Sequence, residues 1–183
     1  MKLAVKRFRR TASTNNDANY CENRFDEPFL MLNEYLTIKT LRFEDAPLVS
    51  GMLRAQSAKY ARFFYAFDFD VEAIGRVLGT RNRDVYSGIF WQGQLVGLFM
   101  LRGWDAGYEV PSFGVLIDEE YRGGAFMRIA LDIAKLICRQ CGVSKLMAKI
   151  HPDNISPRGA RRLGFVQTGV EPNTGNVIYH LDL

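Results

Sequence analysis

Cysteine and histidine are scarce, with 3 and 2 copies in 183 residues. Three unevenly placed cysteines cannot make a disulfide framework, and they fit a reducing compartment. Cys138 and Cys141 form a CxxC pair, but the only other candidates for a zinc tetrahedron are Cys21, His151 and His180, with no second paired motif among them. The pair also closes an apolar-periodic stretch just before Gly142, at the negative end of a helix dipole, where a thiolate is disfavoured. Both cysteines are therefore expected to be buried helix-end thiols, and no metal is expected.

Long apolar runs are missing as well. The best candidate for a membrane span, 85–101, is interrupted by Gly88, Gln92, Gly93, Gln94 and Gly97, short of the roughly 18 uncharged apolar residues a span needs. The amino terminus has a positive start without the apolar core or small-residue cleavage site of a secretory signal, so a cytoplasmic protein without a membrane partner is expected. Charge of one sign does not dominate either. The formal net charge is +4, and Lys2, Lys6, Arg7, Arg9 and Arg10 concentrate the surplus in the first ten residues. From residue 36 onward, 18 basic residues face 15 acidic ones, too even a balance for a dedicated nucleic-acid surface.

What remains, 48% hydrophobic and 24% charged residues, suits one globular domain. Residues 1–35 read as an arm, flexible or loosely docked through Phe29-Leu30-Met31-Leu32, with a nucleic-acid tether as the sharper alternative for its basic start. Residues 36–183 read as the folded domain. Leu36 to Arg42 alternates like a half-buried strand, and a helix opens at Asp45 and Ala46. A second helix is expected from a cap at Asp70 to Gly79. Segments 84–91 and 94–102 form a hairpin around Gln92-Gly93, and 108–118 is the next strand, with Pro111 marking its start or a bulge. The strongest amphipathic pattern, 123–141, should end at Gly142. A strand over 146–150, a short helix from Ser156-Pro157, and strands near 165–170 and 176–182 complete an α/β chain with a mixed, mostly antiparallel sheet flanked by helices.

Chemistry concentrates where the strand ending Val115-Leu116-Ile117-Asp118 passes through Glu119-Glu120-Tyr121-Arg122-Gly123-Gly124-Ala125-Phe126 into the long helix. Gly123 and Gly124 allow close ligand approach, and the free N–H groups of the first helical turn suit a pyrophosphate; an ordinary tight turn is the plainer alternative. Arg122 adds charge. Six aromatics between Tyr60 and Phe69 either pack in the core or border a second ligand, with Asp68 or Asp70 available to attract an ammonium group.

This junction resembles the cofactor loop of the GNAT-type N-acetyltransferases, matching from Arg122-Gly123, with Ala125 and Met127 where that family places small residues. The strand before it, the long helix, strand 145–150 and Leu163-Gly164-Phe165 follow the family's order, so the resemblance covers about 36–183. It implies a GNAT-like fold that moves an acetyl or similar acyl group from acetyl-CoA, or another acyl-CoA, directly to the primary amine of a small molecule or peptide. A homodimer is compatible with it. It further implies that Leu116, Ile117, Asp118, Arg122, Gly123, Gly124, Ala125, Phe126, Met127, Arg128 and Asn154 hold the cofactor. Phe64, Tyr65 and Asp68 would border the acceptor. Glu109, thirteen residues before Arg122, would be the base, with His151 in reserve. A backbone N–H of the 113–118 strand would stabilise the reacting oxygen. Many members carry a tyrosine acid where this chain has Ala160. A thiolate leaving group, with a pKa near 8.5, needs less acid help than an alkoxide. A non-catalytic GNAT-like binding module is the rival reading.

Overall fold

In the computed structural model, residues 35–123, 125–154 and 157–183 are described; the expected arm over 1–34, Gly124 and the start of the short helix at Ser156 lie outside them. Seven strands form one sheet in the order β1 (Leu36–Thr40), β2 (Val85–Trp91), β3 (Gln94–Arg102), β4 (Ser112–Ile117), β5 (Lys145–Ile150), β7 (Val177–Asp182), β6 (Val166–Val170). All neighbours are antiparallel except β4 and β5. The helices are α1 (Ala46–Arg54), the one-turn α2 (Ala58–Ala61), α3 (Val71–Thr80), α4 (Phe126–Gln140) and α5 (Pro157–Arg162).

Local chemistry sets most of these boundaries. Asp70 accepts the Ala73 N–H at 2.7 Å and caps α3, as its sequence position predicts. Gln92 and Gly93 both take positive φ, 51° and 78°, the twist that joins β2 and β3 without splaying them. Gly142, at φ 72°, ends α4, and Val143 N–H returns to Cys138 C=O at 2.9 Å. One-turn α2 was not expected; it is held by Ser57, whose hydroxyl accepts the Tyr60 N–H.

The sheet's period of two divides the core. Leu98, Met100 and Leu116 face α1 and α3, whereas Phe99, Leu101, Phe113 and Ile117 join Ala130, Leu131 and Ala134 of α4 on the other face. Two expectations fail. The strand predicted over 108–118 begins only at Ser112, because Gly103 and Gly107 take φ 113° and 84° and the Gly103 carbonyl accepts the N–H groups of Ala106 and Tyr108. Glu109 consequently sits in an exposed loop and not on a strand. The cysteines also differ from each other: Cys138 is buried, which pushes its thiol up to about 11, but Cys141 is exposed. Among the described residues no helix is long and apolar enough to cross a membrane.

Leu131 is fully buried where α4 meets the sheet. Leu131→Ala should lower unfolding free energy by about 2–5 kcal/mol in a urea titration; a loss below about 1 kcal/mol would mean this face is not the tight core described.

Candidate functional site

β4 and β5 are paired at a single position, Ser112 with Met147, reinforced by Met147 N–H on Pro111 C=O at 3.0 Å. Beyond it they separate, and a cavity of about 550 Å³ opens between them. The direction of the freed peptide groups follows from their neighbours. Asp118 N–H donates to Val96 C=O on β3 at 2.8 Å, whereas Ile117 C=O accepts the Tyr60 hydroxyl on the opposite side at 2.6 Å. Even-numbered β4 residues thus serve β3, and Val115 and Ile117 turn their N–H groups toward the gap.

At the carboxyl end of β4 the chain makes a 3₁₀ turn over Glu119–Tyr121 and enters α4. Gly123 has φ 77°, and a Cβ built there would meet nothing within 4 Å, so the approach to the helix is open. Ala125 occupies the cap position without a side-chain bond. Ile129 N–H bonds its helical carbonyl, that of Ala125, and among the described residues the N–H groups of Phe126, Met127 and Arg128 in the turn before it meet no helical carbonyl. Met127 packs against the core cluster while lining the cavity, so its side chain lies along the wall of the gap. These are the features a diphosphate-bearing cofactor requires, and the residues present fit one.

The turn is braced from α1 and α2. Buried Gln56 accepts Glu119 N–H at 2.7 Å and donates to Met52 C=O at 2.8 Å. The Glu119 carboxylate accepts Ser57 N–H at 3.3 Å and pairs with Arg122 at 3.5 Å. The Arg122 guanidinium lies over the Tyr60 ring, 4.6 Å from its centroid. Burial pushes the Tyr60 phenol up, so it stays protonated and keeps donating to Ile117.

Several expected site residues line the cavity: Leu116, Ile117, Arg122, Gly123, Met127 and Asn154 on the cofactor side, with Phe64 and Tyr65 on the other. Others do not. Asp118 accepts Glu120 N–H at 3.0 Å and caps the turn. Phe126 packs its ring against Trp91 and Tyr121, while Ala125, Arg128 and Asp68 are exposed outside the lining. Gly124 lies outside the described residues. Glu109 is also outside the lining. His151 follows β5 as expected and stacks on Phe63, a lining residue, with ring centroids 5.0 Å apart. Its Nδ1 accepts Asp153 N–H at 3.2 Å and lies 3.9 Å from the Asp153 carboxylate. Ala160 is buried in the wall. Sequence reasoning placed Tyr60 only within the aromatic cluster and assigned no role to Arg102, Tyr121, Lys149 or Asn176, all of which line the cavity. Among the described residues no group of His, Cys, Asp and Glu is placed to hold a metal.

No family model and no curated protein matches the sequence. Solved structures do match. The GNAT domain of S. lividans PAT superposes with a TM-score of 0.67 at 16% identity, over 80% of this chain and 89% of that one. The PaiA N-acetyltransferase from Thermoplasma acidophilum, in complex with coenzyme A, gives 0.65 at 15% identity over 81% and 99%. The Salmonella typhimurium acetyltransferase that modifies the N-terminal serine of a 50S ribosomal subunit protein gives 0.65 at 16% over 81% and 95%. The chain has the GNAT-type N-acetyltransferase fold.

The hydrogen bond from Ser57, followed by the charge of Arg122, holds the Glu119 carboxyl below its ordinary 4.5. Asp105 and Glu171 are lowered likewise, by Asn82 N–H and by the Lys149 side chain in first place. With folded values depressed, the unfolded chain binds these protons more tightly, so the stabilisation is present above the ordinary carboxylate range and lost as pH falls through the folded values. Melting temperature should hold from neutrality to about pH 5 and fall below it, and Glu119→Gln should make that fall shallower. An unchanged acid slope in the variant would contradict the bracing role.

Proposed function

We propose, from the GNAT-type fold and the gap between β4 and β5, that the chain is an N-acyltransferase that moves an acetyl or similar acyl group from acyl-CoA to the primary amine of a small molecule or peptide. The single observation that carries this is the alignment of two backbone donor sets on one cavity: the N–H groups of Val115 and Ile117 along its wall and the unpaired first turn of α4 at its end. Arg122, Gly123 and the first-turn amides would hold the diphosphate, and Asn154 and Met127 the arm that follows it into the gap. Acyl-CoA, when bound, supplies the acyl group as a thioester.

This chain's own groups then orient, polarise and move protons. The Val115 N–H would donate to the acyl oxygen, drawing charge onto it as the amine nitrogen bonds to the acyl carbon and the carbon–sulfur bond breaks, while the Ile117 N–H, about 6.6 Å further along the strand, would bind the arm of acyl-CoA. The amine loses one proton and the departing sulfur gains one. No side chain at Ala160 can supply the latter, so it comes from solvent or from the exchanged amine proton. At the rim, His151 is the group we assign to the amine proton. Its neutral ring bonds Asp153 N–H through Nδ1, and on taking a proton there it exchanges that partner for the Asp153 carboxylate beside it. Glu109, in the exposed loop before β4, has no part in this scheme. Phe63, Phe64 and Tyr65 roof the acceptor side. The acetyltransferase and coenzyme A complex among the structural neighbours support the reading.

Calorimetric titration of the full chain with coenzyme A should show saturable binding that Arg122→Ala weakens about tenfold. With acetyl-CoA and a panel of primary amines, free thiol should be released, and His151→Asn should slow release about 10²-fold or more while leaving coenzyme A affinity intact. No uptake of coenzyme A would overturn the proposal; uptake without thiol release from any amine would leave a binding module.

A further inference from the structure

The charges around the cavity are uneven. Arg102, Arg122 and Lys149 line it, and among the described residues no aspartate or glutamate does. Two of the three cations are answered from outside the lining, Arg122 by Glu119 and Lys149 by Glu171. Arg102 is not: no ion pair among the described residues includes it. Its guanidinium is half-buried and is held by neutral groups, donating to Ala66 C=O at 2.9 Å and bonding the Tyr86 side chain. The carboxylates that also act on Tyr86, Asp84 and Asp105, are committed elsewhere. Asp84 accepts the N–H groups of Gly103 and Asp105, and Asp105 accepts those of Asn82 and Arg83. A guanidinium carries five donors in a planar fork, so donors remain for a ligand.

The position of Arg102 says which ligand. It pairs with Ser112 at the start of β4, the end opposite Arg122 and Gly123, and so lies beyond the place where the acyl group would sit. It shares that end with Phe64, Tyr65, Ala66 and Met100. Gly114 lies between, and the Met100 side chain fills the space that a Cβ there would take, at 3.1 Å, so Met100 forms the floor at this end. We propose that Arg102 is a specificity-determining residue that receives a carboxylate of the acceptor. From Ser112 to Val115 is roughly 10 Å at about 3.3 Å per residue, part of which the arginine side chain spans. The acceptor is accordingly a peptide-like primary amine with a carboxylate one or two residues from its α-amine. A polyamine, which would bring only positive charge against Arg102, is rejected. This rests on the acyl-transfer reading for the location of the amine, though the anion site itself does not need it.

The test compares Ser-Asp-Ala-amide with Ser-Asn-Ala-amide, two peptides that differ by one carboxylate, on the full chain. Binding is read by calorimetry with and without coenzyme A, and acylation by thiol release. The Asp peptide should bind about tenfold or more tightly and show the same advantage in kcat/KM through KM. Arg102→Gln should reduce the ratio between the two peptides to about one, and Arg102→Lys should restore part of it. Melting curves of both variants identify any loss of fold, and the wild-type ratio alone decides should either fail. Equal binding of the two peptides, or a ratio that survives Arg102→Gln, would overturn the inference. Arg102-dependent preference in a chain that takes up no coenzyme A would uphold the carboxylate site and defeat acyl transfer, so the two failures are distinguishable.

Discussion

After Ser112 meets Met147, strands β4 and β5 part, and nearly everything functional about this molecule follows from that divergence. A sheet normally satisfies its peptide groups by pairing with both neighbours. Here β3 satisfies one side of β4, and the other side keeps its donors for whatever enters. The cost of leaving them exposed is limited because the gap is open to water, and it is recovered when a ligand with a carbonyl or phosphate oxygen takes the water's place. Parallel pairing at one end contributes to this, since α4 has to cross from the end of β4 back to the start of β5 and delivers its own unpaired N–H groups to the same mouth.

An open gap needs walls that do not collapse. Gln56, Ser57 and Tyr60 reach the β4–α4 turn from about sixty residues earlier in the chain and fix Ile117 and Glu119 through direct bonds, while Arg122 rests on the Tyr60 ring and pairs with Glu119. Arg122 therefore waits over the Tyr60 ring in one place, and less ordering is needed when an anion arrives. On the far side, Arg102 and Ala66 tie the aromatic segment to the sheet across 36 residues. The same two tethers that keep the cavity from closing also give its ends different characters.

Much of the fold was legible because local rules decide it. Gln92-Gly93, Asp70 and Gly142 each specify a turn or helix end by backbone conformation or capping, and each does so in the structure. Leu98 to Leu101 is apolar at every position, so its division between the two core faces appears only in the structure. The loop before β4 was misread because Tyr108-Glu109-Val110 alternates as a strand would, while Gly103 and Gly107 draw the chain into turns; Glu109 went with it. The cofactor side was readable as a strand, glycine and helix junction. Tyr60 and Arg102 were not, since one belongs to an aromatic cluster that looks like core and the other ends a strand. Their importance lies in bonds to Ile117 and Ala66, distant in sequence, which no periodicity or motif encodes.

Amide-resolved NMR of the full chain during titration with coenzyme A addresses the central claim most directly. Shift changes and slowed solvent exchange should concentrate at Val115 and Ile117 on β4 and at Gly123, Phe126, Met127 and Arg128 at the entry to α4. Saturating coenzyme A without any change at those amides, or with changes confined to β6 and β7, would contradict the account.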